Sequence, residues 1–455
     1  MSPRFSTRNR LQRKCHKDSL GETMIRAILI IATLLFVRSV SSAADLAEQS
    51  ELGKSVKDIP IASHWIYDDL PKAQAEAKKT GKPLLVVLRC VPCPPGKSLD
   101  EKAMQPDREL EAVEKQFVCV RLIQTKGLDL SLFQYDFDMS WSAMFFAPDL
   151  TIYGRYGTRN ATGPGSDSLL TVSAFQKAAE RALELHKGFP GNRDQLAVKR
   201  GKTPAYPVPE KTPGLEDRAG KETTRQTCIH CHMVKEFAMR AKWEAGKLTA
   251  EDIWVHPMPE RIGLTLDIED GLLVKSVEEN SPAAKAGLTA GDSLINANGQ
   301  PLISTADFQW VLHNSPSDAK IRVTVSRGGR VMTSDISLRG DWKEQSNIAW
   351  RASSWYGLRL GLKVEPLSVA DKKSRGIEDD KLAMAVKGLF GKGKPKLEAA
   401  GLRTGDIIVA VDGNSEDQSE STFIATLRLS HGPKDAVKFT ILRGEKKQEL
   451  TIPMW

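Results

Sequence analysis

The carboxyl-terminal half of this 455-residue chain contains an internal repeat. The heptapeptide A-G-L-T-A-G-D at residues 286–292 returns as A-G-L-R-T-G-D at residues 400–406. A turn and a terminal strand pattern repeat with it, at residues 298–299 and 323–328 in the first copy and at residues 412–413 and 439–444 in the second. A string that returns together with its own turn and strand marks one folding unit used twice. The sequence therefore predicts two successive domains of the same fold.

The repeat resembles the PDZ domains of the bacterial type found in the high-temperature-requirement proteases. Such a domain is a partly open β-barrel with helices. The resemblance implies that peptide or protein C-termini are the partners, each added as a strand while a turn of backbone N–H groups holds its carboxylate. That turn requires a glycine between apolar residues. The candidate peptide-binding residues are Ile262, Gly263 and Leu264 in the first copy and Tyr356, Gly357 and Leu358 in the second.

The two PDZ domains are expected at residues 256–342 and 343–455. The second carries a charged insert near residues 368–396, which either covers the groove or extends it. A blocked or empty groove remains the alternative for each copy, since a fold alone does not establish a site. The related proteases carry their nucleophile in a G-N-S-G-G setting, whereas Gly413-Asn414-Ser415 continues here with Glu416-Asp417. We therefore expect no serine protease activity.

The amino-terminal half alternates helix and strand patterns. An amphipathic helix over 68–79 precedes an apolar strand at 84–88, which leads directly into Cys90-Val91-Pro92-Cys93. A strand at 117–122, a hairpin of 143–147 with 151–156 and a helix at 173–185 follow. This order resembles the thioredoxin fold over about residues 60–187. The predicted fold class is therefore multidomain α/β and α+β, with a thioredoxin-like α/β domain at 45–187 before the two PDZ domains.

Cys90 and Cys93 are the candidate catalytic residues of a thiol–disulfide oxidoreductase, which would also need a redox partner. Pro94-Pro95-Gly96 and a capping box starting at Ser98 place both thiols in a loop before the next helix. Without the helix dipole and a facing proline, a structural disulfide and a metal or copper site remain alternatives to catalysis. Arg89 is expected to favour the Cys90 thiolate.

A C-x-x-C-H pentapeptide, Cys228 to His232, follows a Pro-rich linker predicted at residues 188–222. Its spacing suits covalent haem c, with thioethers from Cys228 and Cys231, His232 as the iron ligand and Met258 as the distal ligand. A disulfide or a zinc site are the alternatives. The segment 223–255 is expected to be helical and is short for a cytochrome core. A c-type electron carrier is thus a further functional alternative.

Export is predicted from the amino terminus. A signal peptide from about Met24 contains the apolar run 27–37 and a cleavage site near Ala44, so residues 1–44 are a removable leader. The run is too short for a membrane span, and no stable span is expected after cleavage. Residues 1–44 hold eight Lys and Arg against two Asp and Glu, so the net charge of +8 lies mainly in the leader. These features predict a periplasmic or secreted protein that does not bind nucleic acid.

Overall fold

The computed structural model describes residues 46–93, 96–103, 110–161 and 168–455. The predicted leader and signal peptide lie outside the described residues. Within those ranges, no helix combines the length and the apolar character that crossing a membrane requires.

The amino-terminal half is built on a five-stranded sheet. Its strands are β1 Trp65–Tyr67, β2 Leu84–Arg89, β3 Val118–Leu122, β4 Trp141–Phe146 and β5 Ile152–Tyr156. They lie in the order β1-β3-β2-β4-β5, with β3 parallel to β1 and β2, and with β4 antiparallel to β2 and β5. Every residue of β2 is buried, as expected for an apolar run covered on both faces. The predicted strand and hairpin are confirmed.

Helices accompany this sheet, and the C-x-x-C segment lies between strand β2 and the third helix in chain order. They are α1 Glu51–Ser55, α2 Leu70–Thr80, α3 Lys97–Ala103, α4 Glu111–Glu114 and α5 Val172–Lys187. In α2 the side chain of Asp69 caps the first turn, and Gly81 ends the helix with a φ of 71°. The helices predicted at 68–79 and 173–185 are confirmed within three residues.

The capping box predicted at Ser98 is wrong, because α3 begins at Lys97 and Ser98 lies inside the helix. Asp100, the third residue of that box, instead accepts buried bonds from Arg89 at 2.6 Å and from Arg121 at 2.8 Å. Trp141 Nε1 donates to the same carboxylate at 2.8 Å. Buried charges of opposite sign tie α3 to the sheet, so the segment that carries the two thiols is held at both ends.

The segment predicted as a linker is packed against both halves of the molecule. It contains α6 Arg193–Ala197 and short 3₁₀ turns at Pro209–Lys211 and Glu216–Arg218. Lys199 within it is fully buried, and its Nζ lies 2.7 Å from Oδ2 of Asp307. A charge this deep must be paired, and the pairing fixes the course of the segment.

Two helices and two PDZ folds complete the chain. The helices α7 Cys231–Glu244 and α8 Ala250–Ile253 precede the first PDZ fold. That fold contains β6 Leu264–Leu266, β7 Val274–Val277, α9 Pro282–Lys285, β8 Ser293–Ala297, β9 Gln300–Pro301, α10 Thr305–Asn314, β10 Ala319–Arg327 and β11 Arg330–Leu338. The second contains α11 Ala352–Gly357, β12 Leu362–Pro366, α12 Val369–Ser374, β13 Met384–Leu389, α13 Lys394–Ala399, β14 Ile407–Val411, α14 Glu420–Leu429, β15 Ala436–Arg443 and β16 Lys446–Pro453.

The same ion pair explains the repeated sequence string in both copies. Asp292 accepts the backbone N–H of Thr289 and pairs with Arg327, whose guanidinium also donates to Gly287 O. In the second copy Asp406 pairs with Arg443 in the same way, at 2.8 and 2.7 Å. The Asp of the G-D dipeptide and the Arg of the R-G dipeptide form this ion pair in both copies. The two dipeptides therefore recur together.

The first PDZ fold covers the outer edge of the thioredoxin-like sheet. Helix α10 packs on the edge strand β5, where Asp307 accepts the Arg155 N–H at 3.2 Å. A Cβ on Gly154 would lie 2.4 Å from Asp307 Oδ2, so the two elements touch at a glycine. The contact protects an edge that would otherwise be open to pairing with another strand.

Candidate dithiol site and PDZ loops

Cys90 and Cys93 lie just beyond the buried end of β2. Cys90 N–H donates to Ser140 O, in the loop before β4, and Cys93 N–H donates to Cys90 O. The two sulfur atoms are 2.9 Å apart, and both residues are free thiols. Cys90 is buried, whereas Cys93 is partly exposed and reachable from outside. The turn thus forms a close dithiol with one accessible sulfur.

The C-x-x-C-H pentapeptide docks directly on this dithiol. Its Ile229 carbonyl accepts the Thr125 hydroxyl at 2.8 Å, which anchors the segment to the loop after β3. Nδ1 of His230 lies 3.1 Å from Cys90 Sγ. Tyr135 donates its hydroxyl to Cys231 Sγ at 3.4 Å. The two C-x-x-C pairs, far apart in sequence, therefore belong to one site.

The hydrogen bond between the two thiols separates their proton affinities. Donation of the S–H to Cys93 raises the pKa of Cys90 well above the ordinary thiol range, and burial adds to this effect. The same bond lowers the pKa of Cys93 to about 6, although burial opposes the change. The charges of His232, Arg89 and Arg159 lower the pKa of Cys93 further. Cys93 is therefore the thiolate of the pair at neutral pH.

The hydrogen bond to Cys93 and burial dominate the pKa of Cys90 and raise it, whereas the charge of Arg89 lowers it and so favours the thiolate in the predicted direction. Its guanidinium pairs with the Asp100 carboxylate, and it donates to the carbonyls of Cys90 and Ser140. The guanidinium therefore also holds the backbone of the thiol loop in place.

His232 points toward the second PDZ fold. It stacks on Tyr356 with ring centroids 5.5 Å apart, and its Nδ1 lies 3.3 Å from Oε2 of Glu236. Burial alone would lower the pKa of His232, but interaction with the Glu236 carboxylate raises it above the ordinary value. His232 lines both the dithiol pocket and a cavity of about 820 Å³ that reaches Gly361.

Neither pocket beside the pentapeptide is lined by all of the predicted haem ligands. Cys231 and His232 share a pocket of only about 210 Å³, whereas a cofactor pocket usually holds roughly 300–1,000 Å³. The cavity of about 820 Å³ is lined by His232 but by neither Cys228 nor Cys231. Met258, the predicted distal ligand, is engaged elsewhere, where Gln309 donates to its sulfur at 3.2 Å. The predicted distal ligand is therefore occupied away from the pentapeptide that would hold haem c.

The metal alternatives have no structural support within the described ranges. There, no three His, Cys, Asp or Glu side chains are arranged to hold a metal ion. Cys119 lies apart from both thiol pairs, buried in β3, and burial raises its pKa well above the ordinary range.

The first PDZ loop lies where the sequence predicts it. Gly263 has a φ of 81°, between the buried side chains of Ile262 and Leu264, and its carbonyl accepts the Glu278 N–H. A pocket of about 180 Å³ between β6 and α10 adjoins this loop, with Thr265 among its lining residues. The pocket borders the thioredoxin-like domain, whose Thr158 hydroxyl donates to Gln309 on α10.

The second PDZ loop is not the predicted one. Tyr356 and Gly357 are the last residues of helix α11, and Leu358 is its C-cap. Four residues further on, Gly361 has a φ of 79° directly before β12, and its carbonyl accepts the Phe390 N–H. Leu360, Gly361 and Leu362 thus match Ile262, Gly263 and Leu264 of the first copy. In both copies a Gly-Leu dipeptide stands at the start of a strand. That shared position could have identified the second loop from the sequence.

The insert also differs from its predicted extent. The long connection between β12 and β13 forms α12, and Lys372 on it is buried and pairs with Asp417 at 2.8 Å. Residues 391–393 instead form a turn against the loop glycine, since a Cβ on Gly361 would lie 3.0 Å from Gly393 Cα. The latter part of the predicted insert therefore packs against the Gly361 loop.

Fold and site define a thioredoxin-like domain followed by two PDZ domains. A family model described as thioredoxin-like matches residues 65–148, and a PDZ domain model matches residues 261–338 and 392–454.

The curated relatives share only part of this arrangement. A probable periplasmic serine endoprotease, DegP-like, from Pseudomonas savastanoi pv. phaseolicola is 31% identical over 193 residues, which cover 42% of this chain and 38% of that protein. A putative zinc metalloprotease from Neisseria meningitidis is 31% identical over 150 residues, or 33% of this chain and 30% of that one. The chain therefore spans well under half the length of these relatives.

Among solved structures, a serine endoprotease from Yersinia pestis is 29% identical over 17% of this chain and 28% of that chain, with a TM-score of 0.16.

Proposed function

We propose that this protein is an exported, periplasmic thiol–disulfide exchange protein that recruits polypeptides through its first PDZ domain. The observation that carries the proposal is the Cys90–Cys93 pair, with sulfurs 2.9 Å apart and one of them accessible. The compartment is one in which disulfides persist, and the DegP-like relative is named as periplasmic.

The chemistry follows from the unequal proton affinities of the two thiols. The Cys93 thiolate attacks one sulfur of a client disulfide, and the other client sulfur leaves as a thiolate. Cys90 then attacks Cys93 Sγ, forms the Cys90–Cys93 disulfide and releases the second client sulfur. The Cys90 proton can pass to His230 Nδ1, 3.1 Å away, and from there to the released thiolates. The client disulfide gains two electrons, which the dithiol loses.

Insulin reduction by the dithiothreitol-charged protein tests this function. Cys93→Ser should abolish the catalysed rate, because it removes the only accessible sulfur of the pair. Cys119→Ser is the matched control and should leave the rate unchanged, since Cys119 is buried away from the dithiol. A Cys93→Ser protein as active as the wild type would overturn the proposal.

A second candidate function is capture of polypeptide C-termini without any redox step. It is favoured by Gly263, whose left-handed conformation directly precedes β6, next to the pocket of about 180 Å³ between β6 and α10. Fluorescein-labelled peptides that end in Leu should bind with a free carboxylate and lose most affinity as amides. Equal binding of the two forms would exclude carboxylate capture at this loop.

A further inference from the structure

All four cysteines of the two C-x-x-C pairs lie at one junction. Cys90, Cys93 and Cys231 have contacts within the same apolar cluster of the thioredoxin-like domain. All three line the pocket of about 210 Å³. Cys228, one turn before α7, is held by Arg218, which donates to its carbonyl at 2.6 Å.

The two pairs differ in their access to solvent. Cys228 and Cys231 are 6% and 5% exposed, and the Tyr135 hydroxyl covers the Cys231 sulfur. Cys93 is the partly exposed member of the four. A folded client can therefore reach the Cys93 sulfur, but it has no direct approach to the Cys228–Cys231 pair.

We propose that Cys228 and Cys231 form a second redox couple, which exchanges electrons with clients only through Cys90 and Cys93. This inference rests on the proposed thiol–disulfide exchange at the Cys90–Cys93 pair. It assigns the C-x-x-C part of the pentapeptide to an internal dithiol reservoir in place of a haem attachment.

The exchange starts once a reduced client has departed and Cys90 and Cys93 are joined by a disulfide. The Cys231 thiolate attacks Cys90 Sγ, the Cys90–Cys93 bond breaks, and Cys93 leaves as a thiolate. Cys228 then attacks Cys231 Sγ, which forms the Cys228–Cys231 bond and releases Cys90. The buried pair loses two electrons and two protons; the Cys90–Cys93 pair gains both electrons and one proton, at Cys90, while the other proton passes to solvent because Cys93 stays a thiolate. His230 lies beside the Cys90 sulfur and can return one of these protons to it.

Unequal thiol acidities favour this direction of transfer. Burial raises the pKa of Cys228 to about 11 and that of Cys231 to about 12. A disulfide that contains a readily ionised leaving sulfur, such as Cys93, is the better oxidant of the two.

Stoichiometry tests the reservoir directly. The full chain is reduced with dithiothreitol, desalted and mixed with excess oxidised glutathione, and the glutathione reduced per chain is counted. The wild type should reduce two disulfide equivalents. A variant with Cys228→Ser and Cys231→Ser should reduce one, and a variant with Cys90→Ser and Cys93→Ser should reduce none on the same timescale.

The outcomes separate this inference from the proposed function. A wild type that reduces one equivalent would overturn the reservoir and leave exchange at Cys90–Cys93 intact. If the variant without Cys228 and Cys231 reduces none although it remains folded by circular dichroism, the exchange function itself fails. Oxidation of the buried pair at the wild-type rate in the absence of Cys90 and Cys93 would also contradict the relay.

A trapping variant keeps the inference testable without the stoichiometry. With Cys93→Ser and Cys228→Ser, only Cys90 and Cys231 remain at the junction, and oxidation should link them. Peptide mass spectrometry would detect the Cys90–Cys231 bond, while Cys119 should stay a free thiol. Absence of that bond in the folded variant would contradict the proposed attack.

Discussion

Cys90 and His230 lie 140 positions apart in the chain, yet Cys90 Sγ is 3.1 Å from His230 Nδ1. The contact joins the thioredoxin-like dithiol to the C-x-x-C-H segment. Burial, with smaller effects from His232 and Arg218, lowers the pKa of His230 to about 4, so its ring is neutral at pH 7 and has one unprotonated nitrogen. The second C-x-x-C motif thus brings a base to the first.

The reactivity of Cys93 should depend on pH in a narrow range. Because its thiolate forms with a pKa of about 6, iodoacetamide alkylation of the reduced protein should rise through pH 6 and level off above about pH 7. Cys90→Ser weakens the largest cause of this shift and should move the midpoint upward. Rates followed by mass spectrometry at Cys93 provide the measurement, and a wild-type midpoint above pH 8 would contradict the assignment.

His230→Ala should slow the release of mixed disulfides. Loss of the base beside Cys90 removes the acceptor for its proton, and a positioned base typically contributes on the order of 10²-fold or more. Stopped-flow decay of a glutathione adduct on Cys93 measures this step. His64→Ala is the control, since His64 pairs with Glu114 away from the thiols. Equal decay in the two variants would remove His230 from the mechanism.

Asp307→Asn should destabilise the junction of the first PDZ domain with the thioredoxin-like domain. The substitution leaves the Lys199 and Arg155 charges buried without their carboxylate, which typically costs about 3–5 kcal/mol. Urea unfolding measures the change in the free energy of unfolding. Asp335→Asn at the exposed pair with Arg322 should leave the midpoint nearly unchanged. Similar midpoints for the two variants would contradict the structural role of Asp307.

The position of the second PDZ loop can be tested with two glycines. Gly361→Ala forces a Cβ into a left-handed residue and to within 2.5 Å of Phe390 O, so it should lower the unfolding midpoint. Gly357→Ala places a methyl in a helix, 3.5 Å from the nearest side chain, and should be neutral or stabilising by up to about 1 kcal/mol. If Gly357→Ala lowered the unfolding midpoint and Gly361→Ala did not, the loop predicted from sequence at residues 356–358 would be supported instead.

Patterns carried by contiguous residues were predictable, whereas contacts between distant segments were not. The buried strand β2 follows from local periodicity, and the two PDZ domains follow from a recurring string. The contact of His230 with Cys90 depends on how a segment from beyond the Pro-rich region folds back. Nothing in its spacing encodes that path.

Misplacement of the second loop has a local cause. Tyr356-Gly357-Leu358 and Leu360-Gly361-Leu362 share one pattern, a bulky residue followed by Gly-Leu, and only the helix over Ala352–Gly357 distinguishes the first from the second. Similarly, the buried pairing of Lys199 with Asp307 shows that a Pro-rich composition does not exclude packing.

The central claim is that Cys93 attacks client disulfides. The most direct measurement uses the Cys90→Ser variant, in which the mixed disulfide cannot be resolved by its usual partner. Incubation with a disulfide-containing client, followed by acid quench and peptide mass spectrometry, should show the client linked to Cys93. A client found on another cysteine, or no adduct at all on the folded variant, would contradict the account.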